Sequence, residues 1–112
     1  ETRSGRIRFH ESSVFKQPIS AQTANKLTNI MIDAVKKGTG KKADITDVQI
    51  AGKTGTAEVG ENKKPHAWFI GFAPAEKPTL VVTVVLENTG TGGSNAAPLA
   101  GKIVQKAFGM GY

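Results

Sequence analysis

The run Thr79-Leu80-Val81-Val82-Thr83-Val84-Val85-Leu86 constrains this chain more than any other segment. Its β-branched side chains fit a pleated sheet better than a helix, and its nearly continuous apolar character predicts a strand buried on both faces. Such a strand wants a paired neighbour on each side. Two other strands are readable, and both come earlier in the chain. Val48-Gln49-Ile50-Ala51-Gly52 alternates and runs on into Lys53-Thr54-Gly55-Thr56-Ala57, with small residues at its far end. Ala67-Trp68-Phe69-Ile70-Gly71-Phe72-Ala73 follows, closed by Pro74 and Pro78. Short connections predict an antiparallel meander. The most apolar strand then lies at its end, with a long, unpaired edge that invites aggregation. Further strands are expected to be missing here or supplied by a partner. Arg6–His10, which alternates, is a candidate to fill part of the gap.

Helices flank the meander. Ser20 is placed to cap a helix over 20–37, in which Ala24, Leu27, Ile30, Met31, Ala34 and Val35 recur at helical spacing. Lys36 and Lys37 suit its C-terminus and Gly38 the residue beyond it. A second helix is expected from about Ala96 to Phe108, capped by Ser94 or Asn95. Pro98 is tolerated in its first turn, and Ala96, Leu99, Ile103, Ala107 and Phe108 form its apolar face. The class is α+β: helix, three-stranded antiparallel meander, C-terminal helix. Residues 1–19 read as an N-terminal segment and 20–112 as the body.

Composition excludes several functions. The chain has no cysteine, which removes disulfides, thiolate catalysis and iron–sulfur clusters. Its 15 Lys and Arg against 9 Asp and Glu give +6, but the positive charge is spread. Trp68, Phe69 and Phe72 lie in a strand, not among the basic residues, so nucleic acid is not an expected partner. No apolar run approaches the roughly 18 residues of a membrane span, and no signal peptide opens the chain. His10 and His66 lack acidic neighbours at ligand spacing, so neither a metal nor another cofactor is expected.

The chemistry concentrates in Ala51-Gly52-Lys53-Thr54-Gly55-Thr56-Ala57-Glu58. A phosphate loop would need glycine where Asp47 stands. The better match is the Lys-Thr-Gly element of serine acyl-transferases that react with penicillin. A strand at a cleft margin pairs with an extended peptide through its backbone. Lys53 brings positive charge toward a substrate carboxylate, Thr54 and Thr56 offer hydroxyls to it, and Gly55 lacks a Cβ where substrate must come close.

Over 18–112 the chain resembles the penicillin-binding protein transpeptidase family. Val48–Glu58 resembles the family's third strand, His66–Pro74 the fourth, Thr79–Glu87 the fifth and Ala96–Phe108 the C-terminal helix. The preceding helix and Gly38-Thr39-Gly40 also sit where the family has them. The resemblance implies a partial transpeptidase fold that lacks its helical subdomain and N-terminal strands. It implies that Lys53 organises the active-site hydrogen bonds, that Thr54 and Thr56 hold the carboxylate of a D-Ala-D-Ala stem peptide or a β-lactam, and that the Thr56 amide is an oxyanion-hole donor. The parent protein is then expected outside the cytoplasmic membrane, anchored to it by a helix absent here.

The family's nucleophile lies in Ser-x-x-Lys, with Ser-x-Asn between it and Lys-Thr-Gly. Ser13-Val14-Phe15-Lys16 fits the first pattern but stands only 40 residues before Lys53, without room for a helical subdomain. It reads as a decoy, and Thr23-Ala24-Asn25 reads as a helix surface. No nucleophile is therefore assigned in this chain. The remainder of its own domain is the expected partner, and the isolated piece is expected to self-associate through strand 79–87. Three readings stay open: a D,D-transpeptidase fragment, a fragment of a serine β-lactamase or D,D-carboxypeptidase, and a non-catalytic β-lactam sensor or wall-peptide binding domain.

Overall fold

The computed structural model describes residues 13–112; the expected strand at Arg6–His10 lies outside them. Helix α1 (Ala21–Lys36) begins where Ser20 Oγ accepts the Thr23 N–H at 3.1 Å, as the cap requires. It ends as the Lys37 N–H donates to Asp33 and the Gly40 N–H to Ala34. The stretch after it contains a 3-10 turn at Lys41–Ala43, tied to α1 by a 2.7 Å Lys36–Asp44 ion pair.

Strands β1 (Ala51–Ala57), β2 (His66–Ala73) and β3 (Leu80–Leu86) form an antiparallel sheet in the order β1-β2-β3. The registers Thr54–Phe69–Val84 and Gly52–Gly71–Val82 align one face across all three strands. Before β1, Val48–Ile50 lies outside the ladder, although the Ala75 N–H still donates to the Gln49 carbonyl at 2.9 Å. A π-helical turn (Gly92–Ala96) leads into helix α2 (Ala97–Gly109). Phe69 is fully buried on the aligned face, in one core with Val35, Ile50, Val82, Val84, Ala97, Ala100 and Val104.

Three expectations about burial and capping are corrected. Strand β3 is covered on one face, not two: Val82 and Val84 are 6% and 5% exposed, but Val81 and Val85 are 75% and 41% exposed. Helix α2 packs on β2 and β3 from one side only, while α1 packs on β1 and the 3-10 turn. Helix α2 also turns a different stripe inward. It buries Ala97, Ala100, Gly101 and Val104 and leaves Leu99 and Ile103 exposed. Small residues win because α2 crosses the 3-10 turn closely; a Cβ on Gly101 would stand 2.9 Å from the Ala43 carbonyl oxygen. Leu27 and Ile30 of α1 are likewise exposed, and only Val35 of that helix is fully buried. Finally, α2 has no side-chain cap. The Asn95 amide instead donates to the Thr89 and Thr91 carbonyls at 3.0 and 3.2 Å and pins the glycine-rich turn.

Candidate functional site

Among the described residues strand β1 is a sheet edge, and the segments at its margin are small and polar. Alternation sends Thr54 and Thr56 to the aligned face and Lys53 and Gly55 to the other. Gly92 of the π turn lies directly over β1. A Cβ there would overlap the carbonyl oxygens of Gly55 and Trp68, so the turn seats only with glycine at this point. Its N–H donates to Thr56 Oγ1 at 3.4 Å. The next residue, Gly93, meets the loop after α1, where an added Cβ would stand 2.5 Å from the Thr39 carbonyl oxygen.

These three segments line an open cavity of about 580 Å³. Five hydroxyl residues line it: Thr39, Thr54, Thr56, Thr91 and Ser94. Lys41 and Lys42 stand on its wall, and among the described residues no carboxylate does. A wall of O–H donors and ammonium groups favours an anion. Thr54 is nearly buried and its hydroxyl lies 2.6 Å from that of Thr39. A larger cavity of about 730 Å³ lies between α1 and the Phe72 and Val81 side of the sheet. Among the described residues its wall carries Glu76 and no lysine or arginine, the opposite electrostatic bias.

Of the residues singled out in the sequence, the cavity brings Thr54 and Thr56 together. Gly55 does not line it: a Cβ there would point across the strands to Trp68, 3.2 Å from that residue's Cβ. Lys53 projects from the opposite side of β1, and its ammonium donates back to the Thr54 carbonyl. Sequence reasoning missed Thr39 as a site residue, although Gly38-Thr39-Gly40 was matched to the family. It also missed the cavity roles of Thr91 and Ser94.

The look-alike motifs are elsewhere. Ser13 lies in an exposed, irregular segment, and the Lys16 ammonium sits 5.8 Å from the centre of the Phe15 ring. Asn25 lies on α1 and lines the larger cavity. His66 Nδ1 accepts the Asn88 N–H at 3.0 Å, a turn contact at the start of β2.

A strand margin of this composition, backed by two helices and fronted by a glycine turn, is an α+β arrangement with an anion-favouring cleft at its sheet edge. The model of the penicillin binding protein transpeptidase domain matches residues 5–105, and the chain belongs to this family. Peptidoglycan D,D-transpeptidase PbpA of Mycobacterium tuberculosis is 44% identical over 101 residues, covering 83% of this chain and 20% of that protein. Peptidoglycan D,D-transpeptidase MrdA of Haemophilus influenzae is 49% identical over 82 residues, covering 60% of this chain and 13% of that protein. The chain thus spans about a fifth or less of the length of these relatives. A solved acyl-enzyme complex of M. tuberculosis penicillin-binding protein A with ceftriaxone superposes with a TM-score of 0.74 at 42% identity, over 83% of this chain and 22% of that one. The D,D-transpeptidase domain of a peptidoglycan glycosyltransferase from Eggerthella lenta gives 0.75 at 33% identity, over 97% and 26%.

Proposed function

We propose that this chain is the C-terminal part of a peptidoglycan D,D-transpeptidase and that it supplies the carboxylate-binding and oxyanion-stabilising side of the active site. The observation that carries this reading is the anion-favouring cavity built on Thr54 and Thr56, with no carboxylate among the described residues of its wall. A stem peptide ending in D-Ala-D-Ala lies along the margin of β1, with its terminal carboxylate at the hydroxyls. A β-lactam presents its own carboxylate to the same groups. Lys53 adds positive charge beside the strand and organises neighbouring hydrogen bonds. The Thr56 N–H donates to the oxygen that becomes negative when a serine attacks the peptide carbonyl. One such donor contributes about 2.7–4 kcal/mol to transition-state stabilisation.

The serine comes from outside this chain. Its attack expels D-Ala and leaves an acyl-enzyme, which the amine of a second stem peptide resolves. The rest of the domain completes the sheet beside β3. The parent protein works on the outer side of the cytoplasmic membrane, where cross-linking takes place, and is held there by an N-terminal anchor.

Fluorescent penicillin tests this reading. The 112-residue chain alone is expected to remain unlabelled. The same sequence within its complete protein is expected to label on a serine outside residues 1–112, mapped by mass spectrometry. A label on Ser13 overturns the assignment of the nucleophile, and no label on the complete protein overturns the reading as a whole.

A further inference from the structure

The turn between β3 and α2 is tied to the first two strands by alternate backbone donors. The Asn88 N–H reaches His66 Nδ1 at 3.0 Å, the Gly90 N–H reaches the Pro65 carbonyl at 3.0 Å, and the Gly92 N–H reaches Thr56 Oγ1 at 3.4 Å. Other bonds of the turn are local. Asn95 donates to the Thr89 and Thr91 carbonyls, and Thr89 Oγ1 donates to the Leu86 carbonyl. Local bonds give the turn its shape, whereas the three outward ties decide where it sits. Asn88 stands at φ 54°, a left-handed conformation that a residue with a Cβ keeps when its surroundings fix it. The group that fixes it is the half-buried His66 imidazole at the start of β2. A backbone N–H can only donate, so Nδ1 is the acceptor and the ring carries its proton on Nε2.

We propose that His66 is a positioning residue for acylation: by accepting the Asn88 N–H it seats the turn, and through the turn it sets the cavity wall that Thr91, Gly93 and Ser94 form. The inference rests on the transpeptidase reading and deepens it with a residue that does not line the cavity. The turn has little slack in which to absorb a shift. Gly92 lies against the carbonyl of Trp68, two residues beyond His66 on β2, and against that of Gly55 on β1. Gly93 lies against the Thr39 carbonyl on the far side of the cavity. A displacement at Asn88 therefore reaches both walls. The Gly90 tie is made to a backbone carbonyl that every residue carries, so the His66 tie is the one near the start of the turn that a side chain can make or break.

The test uses the complete protein as wild type, His66→Phe and His66→Asn. Phenylalanine keeps a ring but has no acceptor, and asparagine places an acceptor oxygen near the position of Nδ1. Two quantities are read: the second-order rate of acylation by benzylpenicillin, and amide hydrogen exchange over residues 88–92 against that of β1 and β2. His66→Phe is expected to slow acylation by about two- to tenfold, the range for one neutral hydrogen bond, and to speed exchange in the turn by a similar factor while the strands stay as they were. His66→Asn is expected to return both to within about twofold of wild type. Unchanged acylation in His66→Phe overturns the proposal. So does His66→Asn as slow as His66→Phe, because the acceptor is then not what matters. Slower acylation with unchanged exchange in the turn also overturns it.

Should His66→Phe not fold, His66→Ala, which also lacks the acceptor, is judged by the same outcomes. A crystal structure of the wild type with His66 Nδ1 beyond about 3.5 Å of the Asn88 nitrogen overturns the proposal whatever the variants do. Wild type that benzylpenicillin does not acylate overturns the transpeptidase reading instead. Hydrogen exchange then judges His66 without reference to acylation: faster exchange in the turn of His66→Phe, reversed in His66→Asn, supports its anchoring role, and equal exchange in all three proteins overturns it.

Discussion

Among the described residues, strands β1 and β3 are the two edges of one sheet, each seven residues long, and they differ in almost every other respect. Ala-Gly-Lys-Thr-Gly-Thr-Ala offers small side chains, two hydroxyls and a cation; Leu-Val-Val-Thr-Val-Val-Leu offers apolar bulk. The β1 margin is fronted by the Thr39 loop and the glycine turn, which leave a cavity between them. The β3 side keeps Val81 and Val85 exposed. The same backbone geometry thus serves two purposes. Small residues let other backbones approach and leave room for a ligand. Apolar β-branched residues hold no ligand but suit continued pairing with another strand.

The largest predicted effect comes from removing what both edges lean on. Phe69 sits on the central strand and is fully buried. Phe69→Ala is expected to lower the unfolding free energy by about 3–5 kcal/mol, read by denaturant titration. A loss below about 1 kcal/mol would mean that the edges are held independently of this core.

A smaller change separates the edges. Gly92→Ala places a methyl group against the Gly55 and Trp68 carbonyls. The expected cost is about 1–3 kcal/mol, typical of overpacking. In the complete protein its acylation rate should also fall, because the turn that fronts the site is pushed away from β1. Stability loss without any change in acylation would show that the turn does not shape the cavity.

Much of the architecture was legible because it follows local rules. The Ser20 cap, the three strands and the placement of Lys53-Thr54-Gly55-Thr56 on a strand all follow from spacing and side-chain type. Burial was less legible. Periodicity favours large apolar residues, so it selected Leu99 and Ile103 for the core of α2. Close approach to the 3-10 turn instead selected Ala97, Ala100 and Gly101. For β3, eight residues of apolar character say that a strand is suited to burial but not whether this chain holds the covering layer. Thr39 was invisible as a site residue for a third reason. Its partner Thr54 lies fifteen positions away, and no local pattern announces a hydroxyl pair formed by tertiary packing.

The smallest predicted change in stability is also the sharpest test of the comparison. Strand β1 carries Lys53, the kind of residue that discourages an edge from pairing with a foreign strand, and β3 carries no charge between Leu80 and Leu86. Thr83 stands at the centre of β3 and is exposed. If two copies of β3 paired antiparallel about Thr83, Val81 of one would face Val85 of the other. Thr83→Lys would then bring two like charges together at the centre. The substitution is expected to alter monomer stability by no more than about 0.5 kcal/mol, as for other surface changes. It should nevertheless convert a self-associating 112-residue chain into a monomer, measured by sedimentation across a concentration series. If wild type and Thr83→Lys associate equally, the copies meet elsewhere. If wild type is monomeric throughout, the chain does not use the β3 edge for self-association, and the contrast between the edges is one of composition alone.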